Sequence, residues 1–448
     1  KIWFVTNPPR RQKRQKMHLH VRLLSGRTAS VDLTADAYVY ELRRTAEREL
    51  GVGIASLSRS DVLSGSFTLA DVGLQDGDTV NALVRRPTLT SNIRSPTFVL
   101  IEADGSLVAW GGQCTWQPPC FQQVVSSADG AWAAVREVGD VVTWGEVNQC
   151  DIRVQNLKKV REVVATGHAF AALLEGGDVV TWGHIVSGGE SNSIRDKLHA
   201  VQQIASSMHA FAAVRQDGSV VTWGEIESGG DSSKVREHLQ KVQQVIGADT
   251  AFTAVRMDGT VVTWGDEAGG ADSSHVQKDL FSVKQVVASF DAFAAVRSDG
   301  RVVTWGDDKA GGDSSHVQDQ LHGVRQVTAS SHAFAAIRQD GTVVTWGDDT
   351  CGGDSSLVQD QLQGVREIAA SSQAFAAIRD DGSVVTWGNK ASGGDSQRVQ
   401  SQLHSVEQIQ GSRGAFAALR EDGELITWGH AAFGGSRPGR KPISMSLV

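Results

Sequence analysis

From about residue 93 onward, one succession of apolar patterns returns again and again along the chain. It is clearest in Val324–Gly347, VRQVTASSHAFAAIRQDGTVVTWG. VRQVTAS reads as a short strand, and HAFAAIRQ as a second. Asp340-Gly341 predicts a hairpin turn, with glycine supplying the positive φ, and TVVTWG a third strand. The second and third strands are nearly continuous apolar runs, which marks strands covered on both faces, as in stacked sheets. Between copies lies a polar stretch such as DDKAGGDSSHVQDQLHG. There Gly311-Gly312 bends the chain, and Asp313, Ser314 and Ser315 offer helix caps. Ser315 with Gln318 has capping-box spacing, as do Ser274 with Gln277 and Ser356 with Gln359. Val317, Leu321 and Val324 then form one apolar stripe at helical spacing. Each unit therefore reads as three short antiparallel strands plus one short helix.

Trp-Gly closes each copy, at Trp110, Trp144, Trp182, Trp223, Trp264, Trp305, Trp346, Trp387 and Trp428. Successive spacings are 34, 38 and then 41 six times. A fixed period of this size means a repeat architecture whose units bury their faces only against neighbours. The unit V-x-x-I/V-x-A-S-x-x-A-F-A-A-I/V-R-x-D-G-x-V-V-T-W-G resembles the repeat of the regulator-of-chromosome-condensation family, a superfamily that includes the propeller-type beta-lactamase inhibitory protein. The resemblance covers about 350 residues and implies a mainly β, propeller-like array. The paired alanines, such as Ala335 and Ala336, then suggest backbones in close approach near a propeller axis. Two features depart from the family pattern. Gly-Gly-Asp-Ser-Ser and a helix replace its Gly-Gln-Leu-Gly, and nine Trp-Gly copies replace seven blades. One ring of nine, seven blades with extra repeats, and an open superhelix all fit the sequence.

Residues 17–86 have a different pattern. HLHVRLL and TASVDL alternate around a Ser25-Gly26 turn, predicting a hairpin. Val39, Leu42, Ala46 and Leu50 fall at helical spacing, with Gly51 as C-cap. A short strand around Asp61–Leu63 and a last strand Thr79–Val84 complete the order β-β-α-β-β. With MHLHVRLLSGRT, TLADVGLQDGDTV and ALVRR, this span resembles ubiquitin, implying a small α+β, β-grasp domain. No Gly-Gly terminus follows Arg86 and the span holds no lysine, so an integral domain is expected rather than a conjugated modifier. The resemblance places Leu24, Val62 and Leu83 where ubiquitin carries its apolar docking patch. The alternative is that the three are ordinary residues of the module.

The remaining segments are short. Residues 1–16 have no apolar period and carry six basic residues with no acid. They read as a disordered leader, a nuclear-import or nucleic-acid signal, or sequence preceding a start at Met17. Residues 87–92 read as linker, 93–435 as the array and 436–448 as a tail. The net charge is −8, so residues beyond the leader carry −14, a poor match to phosphate backbones. Nucleic acid is therefore expected only through the leader. The four cysteines, Cys114, Cys120, Cys150 and Cys351, form no C-x-x-C and do not follow the repeat. With no spanning apolar run, a cytoplasmic or nuclear protein is expected.

Candidate chemistry is weighed position by position. The nine tryptophans offer either a stacking platform or, as expected of a residue in every unit, filling between blades. Arg136, Arg215, Arg256, Arg297, Arg338, Arg379 and Arg420 could ring an anion, but turn aspartates such as Asp217 and Asp340 are the expected partners. Asp307-Asp308 and Asp348-Asp349 lack the spacing of a calcium loop. His168, His209 and His332 align, yet Thr, Asp, Gln and Gly take that place in other units, which argues against zinc. No nucleophile or phosphate-loop motif is present, and no cofactor is expected. The residues that vary between units sit just after Trp-Gly: HIVS, EIES, DEAG, DDKA, DDTC and NKAS. These loops, with Asp307, Asp308, Asp348 and Asp349, are the expected partner-binding positions, beside Leu24, Val62 and Leu83. The resulting expectation is a non-enzymatic protein-binding scaffold tied to the ubiquitin pathway. The resemblances leave open nucleotide exchange or regulation on a small GTPase, the substrate-recruiting part of a ubiquitin ligase, and a protein-inhibitor role. No ligase activity is expected from this chain, since no cysteine follows Cys351.

Overall fold

The computed structural model describes residues 16–84, 87–91, 97–102, 107–111, 121–128, 130–136, 138–145, 154 and 157–436. The leader before Lys16, the tail from residue 437, and Cys114, Cys120 and Cys150 lie outside these. The chain divides into two compact units, the first made mostly of residues up to Arg86 and the second of most residues from Pro87 on.

In the first unit, β1 (Lys16–Leu23), β2 (Thr28–Thr34), α1 (Val39–Leu50), β3 (Ile54–Ser58), β4 (Val62–Leu63) and β5 (Thr79–Val84) follow one another. The sheet order is β2-β1-β5-β3-β4, with β1 and β5 parallel, the β-grasp arrangement. Alternation in β1 sends Met17, Leu19, Val21 and Leu23 inward, where Val39, Leu42, Ala46 and Leu50 of α1 cover them. At the start of α1, Glu41 Oε2 accepts from the Tyr38 N–H at 2.7 Å, and Gly51 closes it at φ 66°. The sequence reading lacks β3. Its five residues sit between β4 and β5, and the Ile54 N–H donates to buried Glu47 Oε1 at 2.8 Å.

The second unit is mainly β. Among the described residues it holds nine three-stranded antiparallel sheets, each in chain order. In the seventh, Val324–Ala329, Ala333–Arg338 and Val343–Gly347 pair so that Phe334 faces Trp346 and Ala335 faces Thr345. Alternation on the middle strand gives each side chain one neighbour sheet. Phe334 and Ala336 join the sixth sheet's Ala292 and Ala294, whereas Ala333, Ala335 and Ile337 join the eighth sheet's Ile368 and Phe375.

From the second sheet on, and from the ninth back to the first, the first strands of successive sheets touch one another, so they are innermost. The alanine pairs therefore sit one strand further out than the sequence reading placed them. Side-chain amides stitch the inner strands together. Gln203 Nε2 donates to the Val245 carbonyl at 3.0 Å, and its Oε1 accepts from the Val245 N–H at 3.1 Å. Gln123 treats Val163 in the same way. On the third to ninth blades the inner strand carries a bulge after its first valine, and in the seventh Arg325 Nη2 donates to the carbonyls of Val365 and Arg366.

These contacts return from the ninth sheet to the first. Leu89, Phe98, Leu100, Val108 and Trp110 pack on Ala415 and Ala417. Gln408 bridges the backbone of Leu89 at 2.9 and 3.2 Å. Trp110 Nε1 donates to the Gly434 carbonyl at 3.1 Å. The ring is thus closed with nine blades, neither seven nor an open superhelix. Thr88–Thr90, expected in a linker, forms the inner strand of the first blade because Leu89 fills that closing core.

The expected helix is a short 3-10 element, such as Ser315–Gln320, held by Leu321 and Val324. The Ser315–Gln318 capping box does not form. The preceding Ser314 donates to Gln318 Oε1 at 3.0 Å, and Gln318 Nε2 donates to the Val302 carbonyl at 3.1 Å. Ser273 with Gln277 and Ser355 with Gln359 repeat the arrangement. In the 3-10 geometry, Asp313 Oδ1 instead accepts the Ser315 N–H at 2.8 Å.

Candidate functional site

The recurrent residues are occupied in holding blades together. Trp346 is fully buried, stacks on Phe334 at 5.2 Å and donates Nε1 to the Gly311 carbonyl of the preceding blade's loop at 3.0 Å. Trp223, Trp264, Trp305, Trp387 and Trp428 repeat this bond with Gly188, Gly229, Gly270, Gly352 and Gly393. The glycine whose carbonyl accepts this bond is required to be glycine. Gly311 has φ 92°, and a Cβ on it would lie 2.6 Å from Phe334 Cδ2. Gly-Gly after Trp-Gly is therefore an inter-blade latch. The arginines pair with turn aspartates as expected: Arg215–Asp217 at 3.3 Å, Arg297–Asp299 at 2.9 Å and Arg420–Asp422 at 2.8 Å. Asp217 is held below the usual carboxylate range by the Ser219 hydroxyl and N–H, with Arg215 adding to the effect. These pairs are exposed on the aspartate side and contribute little to stability.

Each first and third strand runs toward the same end of its sheet, so two sets of loops share one face. The inner set joins first to second strands through a chain of backbone hydrogen bonds from blade to blade. The Gly167 N–H donates to Met208 O at 2.7 Å, Met208 to Asp249, Asp249 to Phe290, and Phe290 to Ser331 at 2.8 Å each, and Ser331 to Ser372 at 2.9 Å. The residues carried by this chain also vary between repeats, a second variable set that the sequence reading passed over. The signal was there in the triplets TGH, SMH, ADT, SFD, SSH, SSQ and SRG before Ala-Phe.

The outer set is the loops after Trp-Gly, and here the predicted acids divide. Asp307 Oδ1 caps its own turn, accepting from the N–H groups of Lys309 and Ala310 at 2.8 and 3.0 Å. Asp348 Oδ1 accepts from the Thr350 N–H at 2.7 Å. Asp308 and Asp349 are exposed in the same turns. Asp307 and Asp348 therefore cap their turns, Asp307 while itself exposed, and Asp308 and Asp349 are exposed beside them. Asp291, on the inner set, is half-buried, and that burial raises its pKa. Asp249, Asp307 and Asp266 raise it further, while His332 opposes them.

The blades differ in what they present. On the third and fourth, Ile185, Val186 and Ile226 are exposed. His168 stacks on His209 at 5.5 Å, and Ser187 Oγ lies 3.2 Å from His209 Nδ1. Acids replace the aliphatics on the fifth to seventh, with Glu267, Asp308 and Asp349, and Lys390 takes the place on the eighth. Among the described residues no three His, Cys, Asp or Glu side chains are grouped to hold a metal ion. None of the helices there is long and apolar enough to cross a membrane.

In the β-grasp unit, Leu24, Val62 and Leu83 are 87%, 72% and 54% exposed. Leu83 pairs in register with Ser56, and Val62 with Ser58, on the sheet face opposite α1. Leu24 directly follows β1, the other neighbour of β5. The sequence-predicted trio thus lies on the surface of one small sheet.

No protein-family model matches the chain, and no curated protein matches it. Among solved structures, it is similar to the ectodomain of the Physcomitrella patens receptor kinase CR4 at 14% identity and TM-score 0.37, covering 59% of this chain and 72% of that one. Yeast RCC1 (Prp20), solved bound to Kap60, is similar at 15% identity and TM-score 0.34, with coverage of 52% and 71%. The C-terminal ubiquitin-like domain of the human 2'-5'-oligoadenylate synthetase-like protein is similar at 18% identity and TM-score 0.16, covering 18% of this chain and 97% of that one.

Proposed function

We propose that this chain is a non-enzymatic protein-interaction scaffold, in which the β-grasp unit recruits ubiquitin-pathway proteins and the nine-bladed array holds a second partner through its loop face. The observation that carries the reading is the exposure of Leu24, Val62 and Leu83 together on one small sheet. Apolar side chains grouped on a surface in this way mark interaction sites. Support from the array is by subtraction: its repeated tryptophans, glycines, arginines and turn aspartates are spent on structure, so recognition falls to the residues that differ between blades.

The test is a binding panel of isolated ubiquitin-recognising domains against the full chain and the triple variant Leu24→Ala, Val62→Ala, Leu83→Ala. At least one domain is expected to bind and to weaken by roughly tenfold or more in the variant, as for loss of buried contact residues. The melting temperature should not move, since the three side chains are exposed. If the proteins captured by the full chain are unchanged on deleting residues 17–86, the reading is wrong.

A further inference from the structure

Two successive post-Trp-Gly loops carry branched aliphatic residues, HIVS on the third blade and EIES on the fourth; the next four are DEAG, DDKA, DDTC and NKAS. Ile185, Val186 and Ile226 are 67%, 54% and 72% exposed. They flank an open groove of about 700 Å³ that runs between the two loops, with Ile194 and the edge of Trp223 in its lining. Glu190, Glu225 and Glu227 also line it, and no lysine or arginine does. Among the described residues none of the three glutamates is in an ion pair. Glu190 accepts from Asn192 Nδ2 at 2.6 Å and Glu225 from Ser228 Oγ at 2.7 Å, neutral donors in both cases.

We infer that this groove docks a cationic amphipathic segment of a partner protein, with apolar side chains seated between Ile185, Val186 and Ile226 and Lys or Arg side chains reaching the three glutamates. The inference rests on the scaffold reading and names the chemistry that the array selects. Charge complementarity decides the occupant. An acidic segment meets three glutamates with no compensating cation, and a purely apolar one leaves those carboxylates beside a surface that has lost its water. An open groove suits a peptide better than a small ligand, which needs most of its surface enclosed. The walls are firm, because the groove is floored by the inter-blade latch: Trp223 Nε1 donates to the Gly188 carbonyl at 3.1 Å.

The experiment is fluorescence anisotropy of the full chain with a labelled twelve-residue peptide carrying two leucines and four arginines. Binding in the micromolar range is expected, weakening as salt rises because exposed charges are screened. Ile185→Ser with Ile226→Ser should weaken it about tenfold or more, and Glu190→Gln with Glu227→Gln several-fold, consistent with an apolar centre and a charged rim. Asp308→Asn with Asp349→Asn, on distant blades, should leave it unchanged. All six side chains are exposed, so unaltered melting separates loss of binding from loss of fold. Equal weakening by the distant pair overturns the proposal, because attraction would then be to acidic surface in general. Equal binding of a peptide with glutamates for arginines also overturns it. The basic segment 1–16 of this chain, KIWFVTNPPRRQKRQK, has related chemistry. If its deletion tightens peptide binding severalfold, the occupant is the chain's own leader and the partner assignment fails. Should the peptide fail to bind while the Leu24/Val62/Leu83 variant still loses its partners, the groove inference falls and the scaffold reading stands.

Discussion

Replacing Gly311 with alanine tests the latch between blades directly. Two effects are expected from Gly311→Ala. The backbone sits at φ 92°, where an L side chain costs about 1–2 kcal/mol. The new Cβ would also lie 2.6 and 2.8 Å from Phe334 Cδ2 and Cε2, a ring that is fully buried against Trp346 and has no room to retreat. Overpacking of this kind costs about 1–3 kcal/mol. The control is Gly323→Ala. Gly323 is also left-handed, at φ 62°, but a Cβ there meets nothing within 4 Å. Three repeats earlier the chain itself carries Ala200 in this position at φ 53°. The stiffening of the unfolded chain is common to both substitutions, so their difference reports the ring contact together with the added strain of φ 92° over φ 62°. Gly311→Ala should therefore be less stable than Gly323→Ala by about 1–3 kcal/mol. The assay is urea unfolding followed by tryptophan fluorescence, which reports on the array because every tryptophan except Trp3 lies beyond residue 86. Equal midpoints for the two variants would refute the latch.

Two further outcomes are expected. Gln408→Ala removes both hydrogen bonds to Leu89 and should cost about 1–3 kcal/mol, matching Gln203→Ala between interior blades; a silent Gln408→Ala beside a costly Gln203→Ala in the same urea titration would mean the ring is not closed. Asp291 has its pKa raised in the folded state, so the fold binds its proton more tightly than the unfolded chain and loses stability as pH rises from below 3.8 through the raised value. Asp291→Asn should therefore melt higher than the parent at neutral pH, with the gap closing toward about pH 3.5, and a pH-independent gap in thermal melts would contradict the assignment.

The sequence by itself determined the units. The Trp-Gly period, the Asp-Gly turns and the nearly continuous apolar runs of the second and third strands name three strands per repeat, because a strand covered on both faces carries apolar residues at successive positions. Likeness to ubiquitin also picked out Leu24, Val62 and Leu83, which the structure leaves exposed. Other features were not legible. Strand β3, IASLS, is five residues long and marked mainly by Ile54 and Leu57, too little pattern to announce itself. Ser314 rather than Ser315 bonds Gln318 because the element is a 3-10 turn, and adjacent serines look alike until that geometry is known.

Tertiary structure decided the closure at nine, since no local residue encodes how far each blade is rotated from the last. It placed V-x-x-V rather than the alanines at the axis, and it revealed that Gly-Gly is shaped by the next blade's phenylalanine. It also showed that Asp307 and Asp348, rather than their neighbours Asp308 and Asp349, cap the turns. Closure joins Gln408 to Leu89, 319 positions apart, and the latch joins Trp346 to Gly311, 35 apart, distances at which contact is set by packing and not by pattern.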